Sequence, residues 1–146
     1  MSRTGSDATG LMAALEERGC RATAPRRRIA ELIACTSGCF TAESISRGLP
    51  GIGRATVYRT IKLLVEAGAV CKLSMPDGTP AYNLAGVRHH HHHAVCVKCG
   101  AVDIFEDPAI ERLLESAGDA LPGEIVGHRM EFYVNCRSCV RNAAAG

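Results

Sequence analysis

Residues 54–68, RATVYRTIKLLVEAG, decide the fold of the first half of this chain. Four apolar residues recur in it at the i, i+4, i+7 and i+8 spacing of one buried helical stripe, namely Val57, Ile61, Leu64 and Val65. Gly68 follows, and glycine commonly ends a helix because it tolerates the left-handed conformation of a C-terminal cap. The spacing therefore predicts an amphipathic helix over residues 55–67.

The opposite face of this helix is polar and basic. It carries four candidate DNA-contacting residues, which are Arg54, Thr56, Tyr58 and Arg59. Basic side chains are common on surface helices, so the interpretation depends on the neighbouring elements. Three short helices are predicted before it, and two strand-like pieces, residues 69–73 and 81–84, follow it. This order predicts a winged helix-turn-helix, which places its recognition helix in the major groove of DNA.

Charge is spread unevenly along the 146 residues, although the net charge is only +2. Residues 1–87 carry eleven Lys or Arg against seven Asp or Glu, whereas residues 88–146 carry six against eight. The basic half is therefore the half with the predicted recognition helix. Hydrophobic residues make up 47% of the chain, and no apolar stretch is long enough to span a bilayer, which excludes the membrane and disordered classes.

The second half contains two C-x-x-C pairs, Cys96 with Cys99 and Cys136 with Cys139. Two such pairs supply four thiolates to one tetrahedral zinc, because the short spacer lets both sulfurs of a pair reach the same ion. Disulfides and a thioredoxin-like redox pair are the alternatives. We favour zinc, since neither a signal peptide nor a βαβ pattern accompanies the cysteines, and we expect a cytoplasmic protein.

Five consecutive histidines, residues 89–93, lie directly before the first cysteine pair. A purification tag is the alternative reading, but tags do not normally interrupt the middle of a chain between a strand and a cysteine pair. A zinc held by four cysteines has no vacancy for these histidines. The run therefore predicts at least one further metal site.

The second half also has the pattern of a small α/β lobe. Strands are predicted over residues 101–105 and 129–134, and a helix over residues 108–117 with Asp107 as its N-cap. Together the two halves predict an α+β chain. Residues 1–10 are small and polar, and we expect them to form a mobile tail.

Several of these motifs resemble the ferric uptake regulator (Fur) superfamily. They are residues 19–26 (GCRATAPR), 54–60 (RATVYRT), 66–68 (EAG) and the histidine run followed by C-x-x-C-G. The resemblance implies a homodimeric, metal-responsive repressor that binds double-stranded operator DNA. It further implies a winged-helix DNA-binding domain over residues 1–86 and a small α/β dimerisation domain over residues 87–146.

The resemblance also assigns residues to sites. Tyr58 and Arg59 match the DNA-contacting pair of the family, and the two cysteine pairs match its structural zinc site. An additional metal site would use His90, His92, Glu111 and His128. Alternating histidines suit such a division, because successive side chains of an extended strand point to opposite faces.

The implied sensory metal site departs from the usual pattern of the family. Two of its ligands would be His91 and His93. Before the third helix, where many relatives have histidine, this chain has Cys39, and on the first wing strand Cys71 stands where some zinc-sensing relatives have an acidic ligand. We therefore expect a sensory site of Cys39, Cys71, His91 and His93, while Asn83 as a weak ligand and purely structural roles for both cysteines remain alternatives.

The chemistry of the proposed sensory ligands favours some metals, and some functions, over others. Two thiolates and two imidazoles favour zinc, as in the zinc uptake regulator branch, with iron or nickel as alternatives. Peroxide sensing, which in this family needs a carboxylate-supported iron, is poorly supported. A zinc enzyme built around Glu106 or Glu111 and a zinc-storing protein are the rivals from other classes. The chain has no H-E-x-x-H motif, so we expect neither an enzyme nor a small-molecule substrate.

Overall fold

The computed structural model describes residues 7–85, 91–126 and 128–145. The chain divides into two compact units, the N-terminal unit of residues 1–89 and the C-terminal unit of residues 90–146. The domain boundary predicted between residues 86 and 87 falls outside the described residues. Each unit combines helices with its own small sheet, which confirms the α+β class. Among the described helices, none has the length and apolar character needed to cross a membrane.

Four helices form most of the N-terminal unit. They are α1 (Ala8–Glu17), α2 (Ala24–Cys35), α3 (Ala42–Gly48) and α4 (Arg54–Glu66). The helix α3 begins with a reciprocal capping box, in which the backbone N–H of Ser44 donates to the Thr41 hydroxyl and the backbone N–H of Thr41 donates to the Ser44 hydroxyl. The predicted tail was wrong for residues 8–10, because Asp7 caps α1 and these residues are already helical.

The predicted stripe of α4 packs into the core of the N-terminal unit. Val57, Ile61 and Leu64 are buried, whereas Val65 is only partly buried against the core. Their neighbours are the apolar faces of the other three helices, chiefly Leu11, Leu15, Ile29, Ile33 and Ile45. Because this core fixes one face of α4, the opposite face of the helix is left for solvent.

The wing follows α4 as an antiparallel hairpin of β1 (Val70–Ser74) and β2 (Pro80–Leu84). Gly68 ends α4 with a φ of 73°, a left-handed conformation that favours glycine. Phe40, two residues before α3, makes an antiparallel bridge to Tyr82. Its backbone N–H donates to the Tyr82 carbonyl at 2.8 Å and its carbonyl accepts from the Tyr82 N–H at 2.7 Å, so the loop before α3 extends the sheet.

The C-terminal unit is built on a three-stranded sheet in the order β4-β3-β5. Its elements are β3 (His92–Cys96), β4 (Val102–Phe105), α5 (Pro108–Gly118), β5 (Glu131–Val134) and α6 (Arg137–Ala144). The predicted strands and α5 are confirmed, with the Asp107 carboxylate accepting from the backbone N–H of Ala109. The helix α6 was not predicted. β3 lies antiparallel to β4 and parallel to β5, so β3 and β5 both end beside a cysteine pair.

Candidate metal centres and DNA-binding surface

The two C-x-x-C pairs converge at one end of the C-terminal sheet. Cys96 is the last residue of β3 and is paired in register with Val134, while Cys136 caps the start of α6. The Sγ atoms of Cys96 and Cys139 are 3.9 Å apart, and those of Cys99 and Cys136 are 3.7 Å apart. All four sulfurs lie within 4.8 Å of one another. A tetrahedron with Zn–S bonds of about 2.3 Å has sulfurs about 3.8 Å apart, so the spacing fits zinc and is far too long for disulfide bonds.

The protonation of these thiols also fits a cation site. The backbone N–H of Cys136, 3.3 Å from the Cys96 sulfur, lowers the pKa of Cys96 to about 6. Hydrogen bonds with the Cys136 and Cys99 side chains raise the pKa of Cys139 to about 12. Four crowded thiols therefore do not all ionise by themselves, and a divalent cation supplies the positive charge that lets them act as thiolates.

A second cluster lies beside α5 on the same sheet. The donor atoms of His92, Glu111 and His128 lie within 4.8 Å of one another. The Nε2 atom of His92 is 2.8 Å from Oε1 of Glu111, and the His92 Nδ1 atom is buried without a hydrogen-bond partner. The structure thus brings together three of the four residues predicted for the additional site. The fourth, His90, lies outside the described residues.

His91 and His93 form a separate pair, because residues 91 and 93 alternate with His92 along the chain. Their ring centroids are 4.9 Å apart at an interplanar angle of 80°. His93 is buried, and its Nε2 atom has no hydrogen-bond partner. Burial and the neighbouring His91 lower the pKa of His93 to about 4, so its imidazole is neutral near pH 7. A neutral imidazole with an unpartnered nitrogen is the form that binds a metal ion.

Cys39 and Cys71 lie on either side of Asn83 in the N-terminal unit. Cys71 is paired with Asn83 across the wing hairpin. The bridge between Phe40 and Tyr82 brings the segment that contains Cys39, the residue before Phe40, to the other edge of β2. Cys71 and Asn83 are directly paired and therefore share one face of the hairpin. Cys39, Cys71 and Asn83 are all half-buried. Their assignment to the sensory site stays a prediction.

The exposed face of α4 carries the residues predicted to contact DNA. Arg54, Tyr58 and Arg59 are exposed and Thr56 is half-buried. A groove of about 500 Å³ runs from this face of α4 onto the wing. It is lined by Tyr58, Arg59, Lys62, Val65, Lys72 and Tyr82. The candidate DNA-binding residues did not include Lys72, although its position in the strand, next to buried Leu73, carried the signal of an exposed face.

Comparison with known proteins identifies the family. Residues 17–133 match the family described as the ferric uptake regulator family. The chain belongs to this family. A ferric uptake regulation protein of Bacillus subtilis (strain 168) is 42% identical over 92 residues. The match covers 62% of this chain and 62% of that relative, which is less than two thirds of the relative's length. A ferric uptake regulation protein of Campylobacter upsaliensis is 34% identical over 131 residues, covering 86% of this chain and 83% of the relative.

A solved structure shares the fold of this chain. The structure described as a zinc uptake regulator complexed with zinc and DNA superposes with a TM-score of 0.73, covering 94% of this chain and 95% of that chain at 21% identity. Both relatives above are named as regulation proteins rather than as enzymes. Family membership confirms the predicted resemblance, and the chain is a metal-responsive regulator with a four-cysteine cluster consistent with structural zinc.

Proposed function

We propose that this protein is a zinc-responsive repressor, which binds operator DNA as a homodimer when its sensory site is loaded. The observation that supports zinc most directly is the group of Cys39, Asn83 and Cys71 on the wing sheet, where Cys71 is paired with Asn83 and Cys39 precedes the residue that bridges to Tyr82. It offers two soft thiols and a neutral amide, but no carboxylate. Soft sulfur donors select zinc, whereas manganese and iron sites rely on harder carboxylate and imidazole sets.

The sensory site we propose combines Cys39 and Cys71 with His91 and His93. Two thiolates and two neutral imidazoles complete a tetrahedral set that balances the charge of a divalent ion. The buried, unpartnered Nε2 atom of His93 supports this role, because burying such an atom without a partner is unfavourable. The additional site would be held by His90, His92, Glu111 and His128.

The four-cysteine cluster is proposed to hold a structural zinc rather than a sensory one. Its ligands join the end of β3 to the start of α6, and four thiolates leave no coordination position open. Zinc there would stabilise the C-terminal unit at all physiological zinc levels. The site is therefore part of the fold, and regulation is assigned to the other ligands.

DNA recognition is proposed for the exposed face of α4, with Arg54, Thr56, Tyr58 and Arg59 as the contacting residues. The groove beside it adds Lys62 and Lys72, two cations with the reach to neutralise phosphates next to the major groove. Residues 1–86 would thus form the DNA-binding domain, and a protein that acts on operator DNA is expected in the cytoplasm.

Dimerisation is proposed for residues 87–146. Neither α5 nor α6 has a buried residue in the single chain. The unit also exposes large apolar side chains to solvent, among them Leu113, Phe132, Tyr133 and Val140. Apolar surface of this extent on a small unit is typical of a protein–protein interface.

Regulation would follow from linkage between metal and DNA. A site with ligands from both units favours the arrangement of the units that suits those ligands, and operator DNA favours the arrangement that suits its two half-sites. If both prefer the same arrangement, each tightens the binding of the other by an equal factor. Couplings of about 1 to 3 kcal/mol are typical and give a roughly 5- to 150-fold switch.

The test is a DNA-binding titration with zinc, iron, nickel and manganese, preceded by metal analysis of the purified protein. We expect one tightly held zinc per chain. We also expect operator binding to respond to zinc at a lower free concentration than to iron, nickel or manganese. A response to iron at lower free concentration would favour an iron sensor, in line with the names of the relatives. Zinc binding without any DNA binding would favour a zinc-storing protein.

A further inference from the structure

Glu131 lies directly beside His93 on the sheet of the C-terminal unit. The parallel register of β3 and β5 pairs the two residues, so both side chains project from the same face. The Glu131 side chain is only 13% exposed. A carboxylate is thus held next to the buried imidazole whose Nε2 atom has no hydrogen-bond partner.

Two neighbours on the same stretch of chain fix the Glu131 carboxylate. The Arg129 guanidinium donates through Nε to Oε1 at 2.9 Å. The Tyr133 hydroxyl donates to Oε2 at 3.2 Å. Because both oxygens are engaged, the carboxylate is fixed as a negative charge beside His93.

The charges of this pair act on His93 with opposite signs. The carboxylate favours positive charge on the imidazole beside it, whereas the guanidinium hydrogen-bonded to that carboxylate disfavours it. A bound cation places positive charge on the same imidazole. The two charges should therefore affect metal affinity in opposite directions.

We propose that Glu131 is a positioning residue of the sensory site, held by Arg129 and Tyr133 so that its carboxylate supports His93 as a metal ligand. This inference rests on the proposed sensory role of His93. Histidine ligands are commonly supported by a carboxylate or carbonyl, and removing that support lowers metal affinity by about 10- to 100-fold. The same support would set the zinc concentration at which the protein responds.

The experiment measures the zinc affinity of the sensory site in the full-length protein with its four-cysteine site filled, by competition with a chromophoric chelator. Glu131→Gln should bind zinc about 10- to 100-fold more weakly than the parent. Glu115→Gln, an exposed glutamate on α5, is the matched control and should bind like the parent. Arg129→Gln keeps the carboxylate but removes both a bond that holds it and an opposing positive charge, so its zinc affinity should lie closer to that of the parent than the affinity of Glu131→Gln does.

A merely structural role for the pair predicts a different pattern. Arg129→Gln and Glu131→Gln would then weaken zinc binding by the same factor, and that result, or a Glu131→Gln variant indistinguishable from Glu115→Gln, overturns the proposal. His93→Ala separates this failure from that of the proposed function. If His93→Ala binds zinc as tightly as the parent, the sensory assignment is wrong and so is the role of Glu131. If His93→Ala weakens zinc binding but Glu131→Gln does not, the sensory assignment is kept and only the role of Glu131 is wrong.

Discussion

The two units of the chain are stabilised in different ways. The N-terminal unit buries a continuous cluster of Leu, Ile, Val and Ala side chains from four helices and the wing. In the described part of the C-terminal unit, the buried side chains are His92, His93, Val95 and Cys96. Three of these four carry atoms that bind metals. Hydrophobic burial accounts for the stability of the first unit, whereas the second has metal-binding side chains where a core would lie, and we expect its stability to depend on bound metal.

Size explains why the C-terminal unit needs such support. A lobe of fewer than 60 residues has too little interior to bury much apolar surface, and small lobes commonly rely on metal ions or partner subunits. Its exposed apolar residues include Leu113, which is 68% exposed on α5. Metal at one end of the sheet and a second chain over its apolar surface would together replace a core.

The largest expected effect is the loss of the four-cysteine site. Cys96→Ser should unfold the C-terminal unit, because structural zinc contributes roughly 10 to 16 kcal/mol of apparent binding free energy, more than the stability of a typical domain. Zinc content, sedimentation and circular dichroism measure the outcome. Cys35→Ser is the matched control, since Cys35 is exposed at the end of α2. A folded dimer of Cys96→Ser without that zinc would contradict the comparison of the units.

A core truncation in the N-terminal unit should cost less and act differently. Leu64 is fully buried, and Leu64→Ala should lower the free energy of unfolding of this unit by about 2 to 5 kcal/mol, because it removes apolar contacts and leaves a cavity. Metal content should not change. Val126→Ala, at a side chain 97% exposed, is the control for a surface truncation. Denaturant titration gives the stability, and loss of zinc from Leu64→Ala would show that the units are less independent than proposed.

The parts of the fold that follow from local signals could be predicted from the sequence. The stripe of Val57, Ile61 and Leu64 predicted α4, and Asp107 predicted the start of α5. The helix α6 was missed because it is short and begins at Cys136, a residue that makes no side-chain capping hydrogen bond. Its sequence was interpreted only as a source of ligands.

Features that depend on long-range pairing were harder to predict. The bridge between Phe40 and Tyr82 joins residues far apart in sequence, so the approach of the segment with Cys39 to β2 had no local signal. The division of the histidine run was accessible, because alternation along a strand is a local property. The pairing of His93 with Glu131 depended on a parallel register that only the folded sheet reveals.

Loss of a DNA contact should affect the N-terminal unit alone. Arg59→Ala should weaken operator binding by about 1 to 3 kcal/mol at every zinc concentration, because it removes a contact to DNA and touches no metal ligand. Metal content and thermal unfolding should match the parent. Arg112→Ala on α5 serves as a control for the loss of one positive charge. Normal operator binding by Arg59→Ala would refute the assignment of α4 as the recognition helix.

Loss of a sensory thiol tests the link between the units. Cys39→Ser and Cys71→Ser should each shift zinc-dependent operator binding to at least about tenfold higher free zinc, since the loss of a ligand should cost at least as much as the loss of a group that supports one. His91→Ala should behave alike. The four-cysteine zinc and the dimer should persist in all three. If both serine variants bind operator DNA at the same free zinc concentration as the parent, the two-thiolate sensory site is refuted. An iron sensor with histidine ligands would then be the better proposal.

The smallest expected effect is a pH dependence of the C-terminal unit when its four-cysteine zinc is bound and its histidines hold no metal. Burial lowers the pKa of His93 from 6.5 to about 4, so between these values the unfolded chain binds a proton that the folded unit does not. Stability of this unit should therefore fall as the pH is lowered from 6.5 to 4, and change little below that from this residue. The N-terminal unit has no histidine among its described residues, so its stability should not change through histidine titration over the same pH range. Hydrogen exchange of protein that retains only its four-cysteine zinc measures the stability of both units, and His93→Gln should flatten the slope; an unchanged slope would mean that His93 is not the buried titrating group.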